Sequence, residues 1–333
     1  MTEPTSYLVS RVAASARDGG RAAFLRLVFS FRPEEIATLL LFLPMAWVLA
    51  SIAITGGGMP RTEATWNYPD AFTRFVTLAA SVTIFLAVVR LKPQWTFARD
   101  LIPFLFCANV YANLHDMIAF FGAADITAWL YRMDVALFGV EPTIWAQRFA
   151  HPFLTDFFTF CYWLFYVLPP LLGLLLYVKG EGRAFRLTLV SIVFCLYLGY
   201  VGYVALPAGP PRYAIPEQAF GPPLAGMIAA LDASRAVPAA LPLTMKGAFP
   251  SLHCGVMVLA MLLAWRHLRW FFPIILFFGL GLILGTVYLR HHWVVDILAG
   301  IAVAVVADRL TPPLETWWQE RTRRNSARPS RTP

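Results

Sequence analysis

An all-α bundle of membrane-spanning helices is the fold class this sequence predicts, and three observations predict it. Of the 333 residues, 59% are hydrophobic and only 14% charged, with a mean hydropathy of +0.62; soluble domains carry about 25% charged residues. The apolar residues gather into runs long enough to cross a bilayer, about 20 residues each. Lys and Arg concentrate between alternate runs, as retention of positive charge on the cytoplasmic side requires. An apolar excess of this size cannot be hidden in one water-soluble core.

The chain opens with residues 1–35, which carry Arg11, Arg17, Arg21, Arg26 and Arg32 and read as a basic, amphipathic cytoplasmic lead-in. That segment lacks the apolar stretch and cleavage site of a signal peptide. Eight apolar runs follow, at roughly 36–55, 71–89, 100–122, 153–178, 187–206, 247–265, 270–288 and 293–311. They make residues 36–311 a single transmembrane domain of about eight spans. Residues 312–333, ending in ERTRRNSARPSRTP, read as a disordered basic cytoplasmic tail.

With both termini inside, 19 of the 27 Lys and Arg fall in cytoplasmic segments and none of the segments breaks the alternation. The net charge of +8 then sits against anionic headgroups and calls for no nucleic-acid partner. Cys107, Cys161, Cys195 and Cys254 all lie in or beside apolar runs without CxxC spacing, so they read as packing residues rather than disulfides or a metal cluster.

Two outer segments are longer than connections need. Residues 123–152 mix aromatics with scattered charges, as one or two helices lying in the headgroup region would. Residues 207–246, beginning PAGPPRY, suit a cap over an opening between helices. Inside the third run, His115 and Asp116 are either a substrate contact or a pair that pins helices. Asp156 reads as interfacial.

The chemistry collects at one face. His253 stands in Phe249-Pro250-Ser251-Leu252-His253, where the long outer loop enters the sixth run and Pro250 suits the first helical position. The chain crosses, turns at Arg266–Arg269 and returns to Tyr288-Leu289-Arg290-His291-His292-Trp293-Val294-Val295-Asp296. His253 and His292 thus share one end of a helical hairpin. On a helix, His292 and Asp296 are offset by about 40° and can touch, whereas His291 and Asp296 are offset by about 140°. A carboxylate on one ring nitrogen fixes the tautomer and frees the other as a nucleophile. A second histidine opposite can protonate a leaving oxygen. Arg290, Lys246, Arg212 and the Ser251 hydroxyl are the groups available to bind phosphate oxygens. A metal site of His253, His291 and His292 is the competing reading of the same residues, and a non-catalytic lipid binder or transporter is another.

FPSLH and YLRHHWVVD resemble the PSGH-type and SRxxxxxHxxxD motifs of the type 2 phosphatidic acid phosphatase superfamily. Met133–Pro142 (MDVALFGVEP) and PAGPPRY are similar to its inositol phosphorylceramide synthase branch, which includes the inositolphosphotransferases. The resemblance implies a six-helix phosphatase-like core and a lipid-phosphate phosphatase or phosphotransferase without cofactor or metal. It implies His292 as the nucleophile forming a phosphohistidine, Asp296 as its partner and His253 as general acid. The substrate would be a phospholipid or other lipid phosphate, with water or an alcohol as acceptor. The site would face outward from an inner (plasma) membrane. Leu252 stands where that family has Gly, Thr286 stands where it has Arg, and its KxxxxxxRP motif is absent. Arg290, one helical turn beyond Thr286, is read as the substitute for that Arg.

Cysteines introduced by Ala14→Cys and Ser330→Cys should stay unlabelled by an impermeant maleimide in sealed vesicles of native orientation. One introduced by Ala239→Cys should label; the reverse pattern would invert the topology.

Overall fold

The computed structural model describes residue 20 and residues 23–25, 27–55, 70–221, 223–231 and 246–326. Helices dominate them: α1 (Pro33–Thr55), α2 (Ala71–Leu91), α3 (Thr96–Phe121), α4 (Thr127–Phe138), α5 (Pro142–Ala146), α6 (Pro152–Trp163) and α7 (Leu168–Val178) come first. Then follow α8 (Gly182–Ala205), the short α9 (Pro211–Ala214) and α10 (Met227–Ala230), α11 (Leu252–His267), α12 (Phe272–Tyr288) and α13 (Val294–Ser326). Each of the eight apolar runs contains a helix, and the protein is an all-α integral membrane bundle. Leu40, Leu43, Ile84, Leu105, Leu174 and Leu284 stand exposed on its flanks, where hydrocarbon rather than water is the fitting solvent.

Not every run is a full-length span. Four helices (α1, α2, α3 and α8) are each long and apolar enough to cross a membrane alone, among the described residues. The run expected at 153–178 is bent by 46° between α6 and α7, at the 3₁₀ turn Leu164–Tyr166. The runs expected from 247 and from 270 make helices of only 16 and 17 residues, about 24–26 Å long. The reason is local: residues 247–251 are non-helical, with a cis Phe249–Pro250 bond, and Leu289–His292 leave the helix to form a loop. Pro250 therefore precedes the helix rather than occupying its first position; Ser251 is the N-cap, accepting from the Cys254 N–H.

Helix α8 is the hub, touching α1, α3, α7, α11 and α13. Its tyrosines tie it to the first bundle: the Tyr197 hydroxyl meets Thr38 Oγ1 at 2.8 Å, and Tyr200 donates to the Cys107 carbonyl at 3.0 Å. Asp116 is ion-paired with Arg74 of α2, while His115 lies 3.4 Å from the same carboxylate. The pair pins α2 to α3. All four cysteines are buried free thiols.

The far end of α8 holds a buried ionic network. Arg186 reaches Glu34 of α1 (3.0 Å), Asp100 of α3 (2.9 Å) and Glu315 of α13 (2.7 Å). Beside it, Arg99 is bidentate to Glu35 at 2.7 and 2.6 Å, and Arg32 pairs with Asp100. The other lead-in arginines named above lie outside the described residues. The tail expected to be disordered from 312 is instead helical through Pro312 and Pro313 to Ser326. Glu315 is drawn to Arg186, Trp318 Nε1 donates to the Phe31 carbonyl at 2.9 Å, and the Trp318 ring packs on Phe29. Those partners come from α1's approach and α8, so the tail's own composition cannot disclose them. Residues 327–333 lie outside the described residues.

Removing one member of a buried ion network leaves its partners uncompensated, at about 3–5 kcal/mol. Arg186→Met should lower stability by about that much in thermal unfolding of the detergent-solubilised protein; an unchanged melting temperature would show the network to be inert.

Candidate active site

The site is built where α11 and α13 begin side by side. Their backbones nearly touch: a Cβ on Gly300 would lie 2.1 Å from the Ser251 carbonyl oxygen, and one on Gly255 would lie 2.8 Å from the Gly300 oxygen. The Ser251 N–H donates to the Asp296 carbonyl at 2.9 Å. This crossing brings His253 and His292 together, with Nδ1 of His253 at 3.4 Å from Nε2 of His292. On the other side of the His292 ring, Nδ1 is 3.1 Å from Asp296 Oδ1.

Helical stacking does not make the His292–Asp296 contact. Helix α12 ends at Tyr288, Arg290 takes a left-handed φ of 65°, and α13 starts only at Val294. His292 is thus in the connecting loop. The His291 and His292 N–H groups both donate to the Thr286 carbonyl, at 2.8 and 3.2 Å. Asp296 also accepts from the Trp293 N–H at 3.0 Å, which turns its carboxylate back over the start of the helix, as a capping side chain does. Burial, reinforced by the Arg212 guanidinium nearby, pushes the His292 imidazole down to about 3. That shift favours the neutral imidazole, whose Nδ1 faces the Asp296 carboxylate.

The cationic and hydroxyl candidates divide. The Arg212 charge is felt by both histidines, and its N–H donates to the Arg290 carbonyl at 3.1 Å. Because the helix does not continue, Arg290 does not stack one turn above Thr286. Its guanidinium lies 4.2 Å from the Phe220 ring and donates to Gln147 Oε1 through Nε (3.1 Å) and Nη2 (2.7 Å). Ser251 is wholly buried in its capping role. Lys246 pairs with Asp125 at 3.0 Å, while its carbonyl receives the Ala208 N–H. His291 stacks on Tyr162 at 4.5 Å.

Leu252 does not project into this centre. Its side chain fills the space left by Gly199 on α8, where a Cβ would fall 2.3 Å from Leu252 Cδ2; Pro250 uses Gly202 one turn on. The large residue at 252 and the small one at 199 are a matched pair.

Three positions were not among the candidate site residues, although Asp134 stands in the MDVALFGVEP stretch. Asp134 of α4 is fully buried and accepts from the Val294 and Val295 N–H groups at 2.8 and 2.9 Å, capping α13 from another helix. Gln147 receives Arg290 and donates to the Tyr288 carbonyl at 3.1 Å. Tyr162 of α6 lies between His253 and His291, its hydroxyl 3.0 Å from His253 Nε2. Asp134 is detectable as a lone carboxylate among apolar residues. Gln147 and Tyr162 carry no local signal. Residues 127–138 and 142–149 are helical, as expected, and the loop from 207 is bonded to the start of the first of them, through Ile126 N–H to the Pro207 carbonyl and Gly209 N–H to Thr127 Oγ1. Trp293 Nε1 donates to Gly209 O, and Asp156 accepts from the N–H groups of residues 227–229. Of that loop, residues 222 and 232–245 lie outside the described residues.

The family model of the PAP2 superfamily, the type 2 phosphatidic acid phosphatases, matches residues 128–310. Over 198 residues, 54% of this chain, the sequence is 31% identical to a phosphoinositol dihydroceramide synthase of Bacteroides thetaiotaomicron. The chain spans 65% of that relative's length. No solved structure matches. With more than half of its length matched, the chain belongs to the PAP2 superfamily.

Gly199→Val should destabilise the protein by about 1–3 kcal/mol through overpacking, measured by thermal unfolding. Leu252→Ala in the same chain should recover most of the loss; a failure to recover would break the pairing.

Proposed function

We propose that this protein moves a phosphoryl group or phosphorylated headgroup from a membrane lipid to an acceptor hydroxyl, holding it on His292 in between. The observation that carries the reading is the row Asp296–His292–His253, buried in a superfamily of lipid-phosphate enzymes. In the first step the Nε2 lone pair of His292 forms a bond to phosphorus. The bond from phosphorus to the leaving alcohol breaks with its electron pair on oxygen, which takes a proton from His253. In the second step the acceptor oxygen attacks phosphorus, the N–P pair returns to His292, and the acceptor's proton passes to His253. Asp296 balances the charge that the His292 ring gains on becoming phosphorylated.

Arg212 and Arg290 are the cations of the phosphate cradle. Arg290 reaches that task by exchanging part of its Gln147 contact for phosphate oxygens, which bind guanidinium bidentately. Lys246 and Ser251 contribute at one remove, Lys246 through the loop it anchors and Ser251 through the helix it caps. The similarity to a phosphoinositol dihydroceramide synthase supports an alcohol as acceptor over water. In the topology read from the charges, the site opens to the extracytoplasmic face.

Purified protein incubated with labelled phospholipids should form an acid-labile, alkali-stable phosphoenzyme. Turnover should rise when an inositol-, glycerol- or sphingoid-type alcohol is added. His292→Ala should abolish the label and lower turnover by at least roughly 10³-fold; label that persists in the variant would remove His292 from the role. Lipid binding without turnover on any donor would favour a non-catalytic binder.

A further inference from the structure

Tyr162 takes no part in the two steps above, yet it both stacks on His253 and reaches its ring with a hydroxyl. Its ring stacks on the imidazole with centroids 4.7 Å apart and planes 29° from parallel, and it also stacks on His291 at 4.5 Å. Its hydroxyl oxygen lies 3.0 Å from His253 Nε2, while Nδ1 of the same ring faces His292. The four groups form one line of contacts: Asp296, His292, His253, Tyr162.

Proton bookkeeping along that line is restrictive. Asp296 draws the His292 proton to Nδ1, which leaves His292 Nε2 a bare lone pair. The nitrogen facing it, Nδ1 of His253, must then carry the proton of their contact. In a neutral His253 ring Nε2 is bare in turn, and the Tyr162 hydroxyl donates to it. When the ring takes up a second proton, Nε2–H needs an acceptor, and the same hydroxyl oxygen supplies one by rotating its hydrogen away. A carboxylate there could only accept, and an amide N–H could only donate. The hydroxyl serves both protonation states of a general acid that becomes a general base one step later.

We infer that Tyr162 is the positioning residue of the acid–base histidine, holding His253 through Nε2 so that Nδ1 alone exchanges protons with the leaving and attacking oxygens. The inference rests on the phosphohistidine reading. In the first step charged His253 gives its Nδ1 proton to the leaving oxygen and keeps Nε2–H on Tyr162. In the second step Nδ1 takes the proton of the attacking hydroxyl. No proton is lost from Tyr162 over the cycle.

Tyr162→Phe keeps the stacked ring and removes only the hydroxyl, so leaving-group dependence isolates the role. Phosphoenzyme formation would be timed by rapid quench for the dodecyl and 4-nitrophenyl esters of both phosphate and phosphoinositol. Nitrophenolate departs without a proton, whereas an alkoxide needs one. The variant should lose roughly 10–100-fold on the dodecyl esters, a part of what a general acid contributes, and at least about 10-fold less on the nitrophenyl esters. Equal loss on both leaving groups, or no loss on either, overturns the inference while leaving the phosphohistidine in place. Wild-type protein that forms no phosphoenzyme from any of the four esters overturns the parent reading and this inference with it. A melting temperature for the variant, measured alongside, separates a folding defect from a chemical one.

Discussion

The approach of α11 and α13 over glycine is the constraint from which the rest of the structure follows. With a side chain at Gly300, a carbon would sit 2.1 Å from the Ser251 carbonyl oxygen, well inside contact distance, and the two helix starts would have to separate. Their separation would break the bond from Ser251 N–H to the Asp296 carbonyl and draw His253 away from His292. On the opposite flank, Gly199 and Gly202 of α8 receive Leu252 and Pro250. The histidine pair is therefore placed by missing side chains on both sides. Such close packing is how helices associate where lipid offers no hydrophobic drive.

Around that crossing, an apolar bundle has to keep several polar groups dry. Each is supplied with a partner from a different part of the chain. The α13 start is capped by Asp134 of α4, Arg290 is held by Gln147, and the Trp293 indole finds the Gly209 carbonyl. Segment 127–149 and the loop from 207 serve as a scaffold for a histidine-bearing loop too short to order itself. This division explains why His292 can occupy a non-helical turn: its geometry is set by hydrogen bonds from outside the hairpin, not by helical continuity. At the other end of α8, Arg186 gathers carboxylates from α1, α3 and α13 and holds the helix ends that the glycine contacts leave free to splay.

Much of the plan was present in the chain itself. Composition and eight apolar runs determined an all-α membrane bundle, because a continuous apolar run of about 20 residues satisfies its own backbone groups in lipid as a helix. The spacing of FPSLH and YLRHHWVVD, with one helical hairpin between them, determined that His253 and His292 meet at one end; the contact of Asp296 with His292, expected from helical spacing, is instead made across a loop. The sequence could not say where helices stop. That depends on capping by Ser251, on the left-handed turn at Arg290 and on the Thr286 carbonyl, each decided by neighbours far along the chain. The ordered tail, the seating of Leu252 against Gly199, and the roles of Asp134, Gln147 and Tyr162 were decided only by tertiary structure. A periodic pattern reports which face of one helix is apolar; it carries no record of which residue of another helix will fill a gap or accept a proton there.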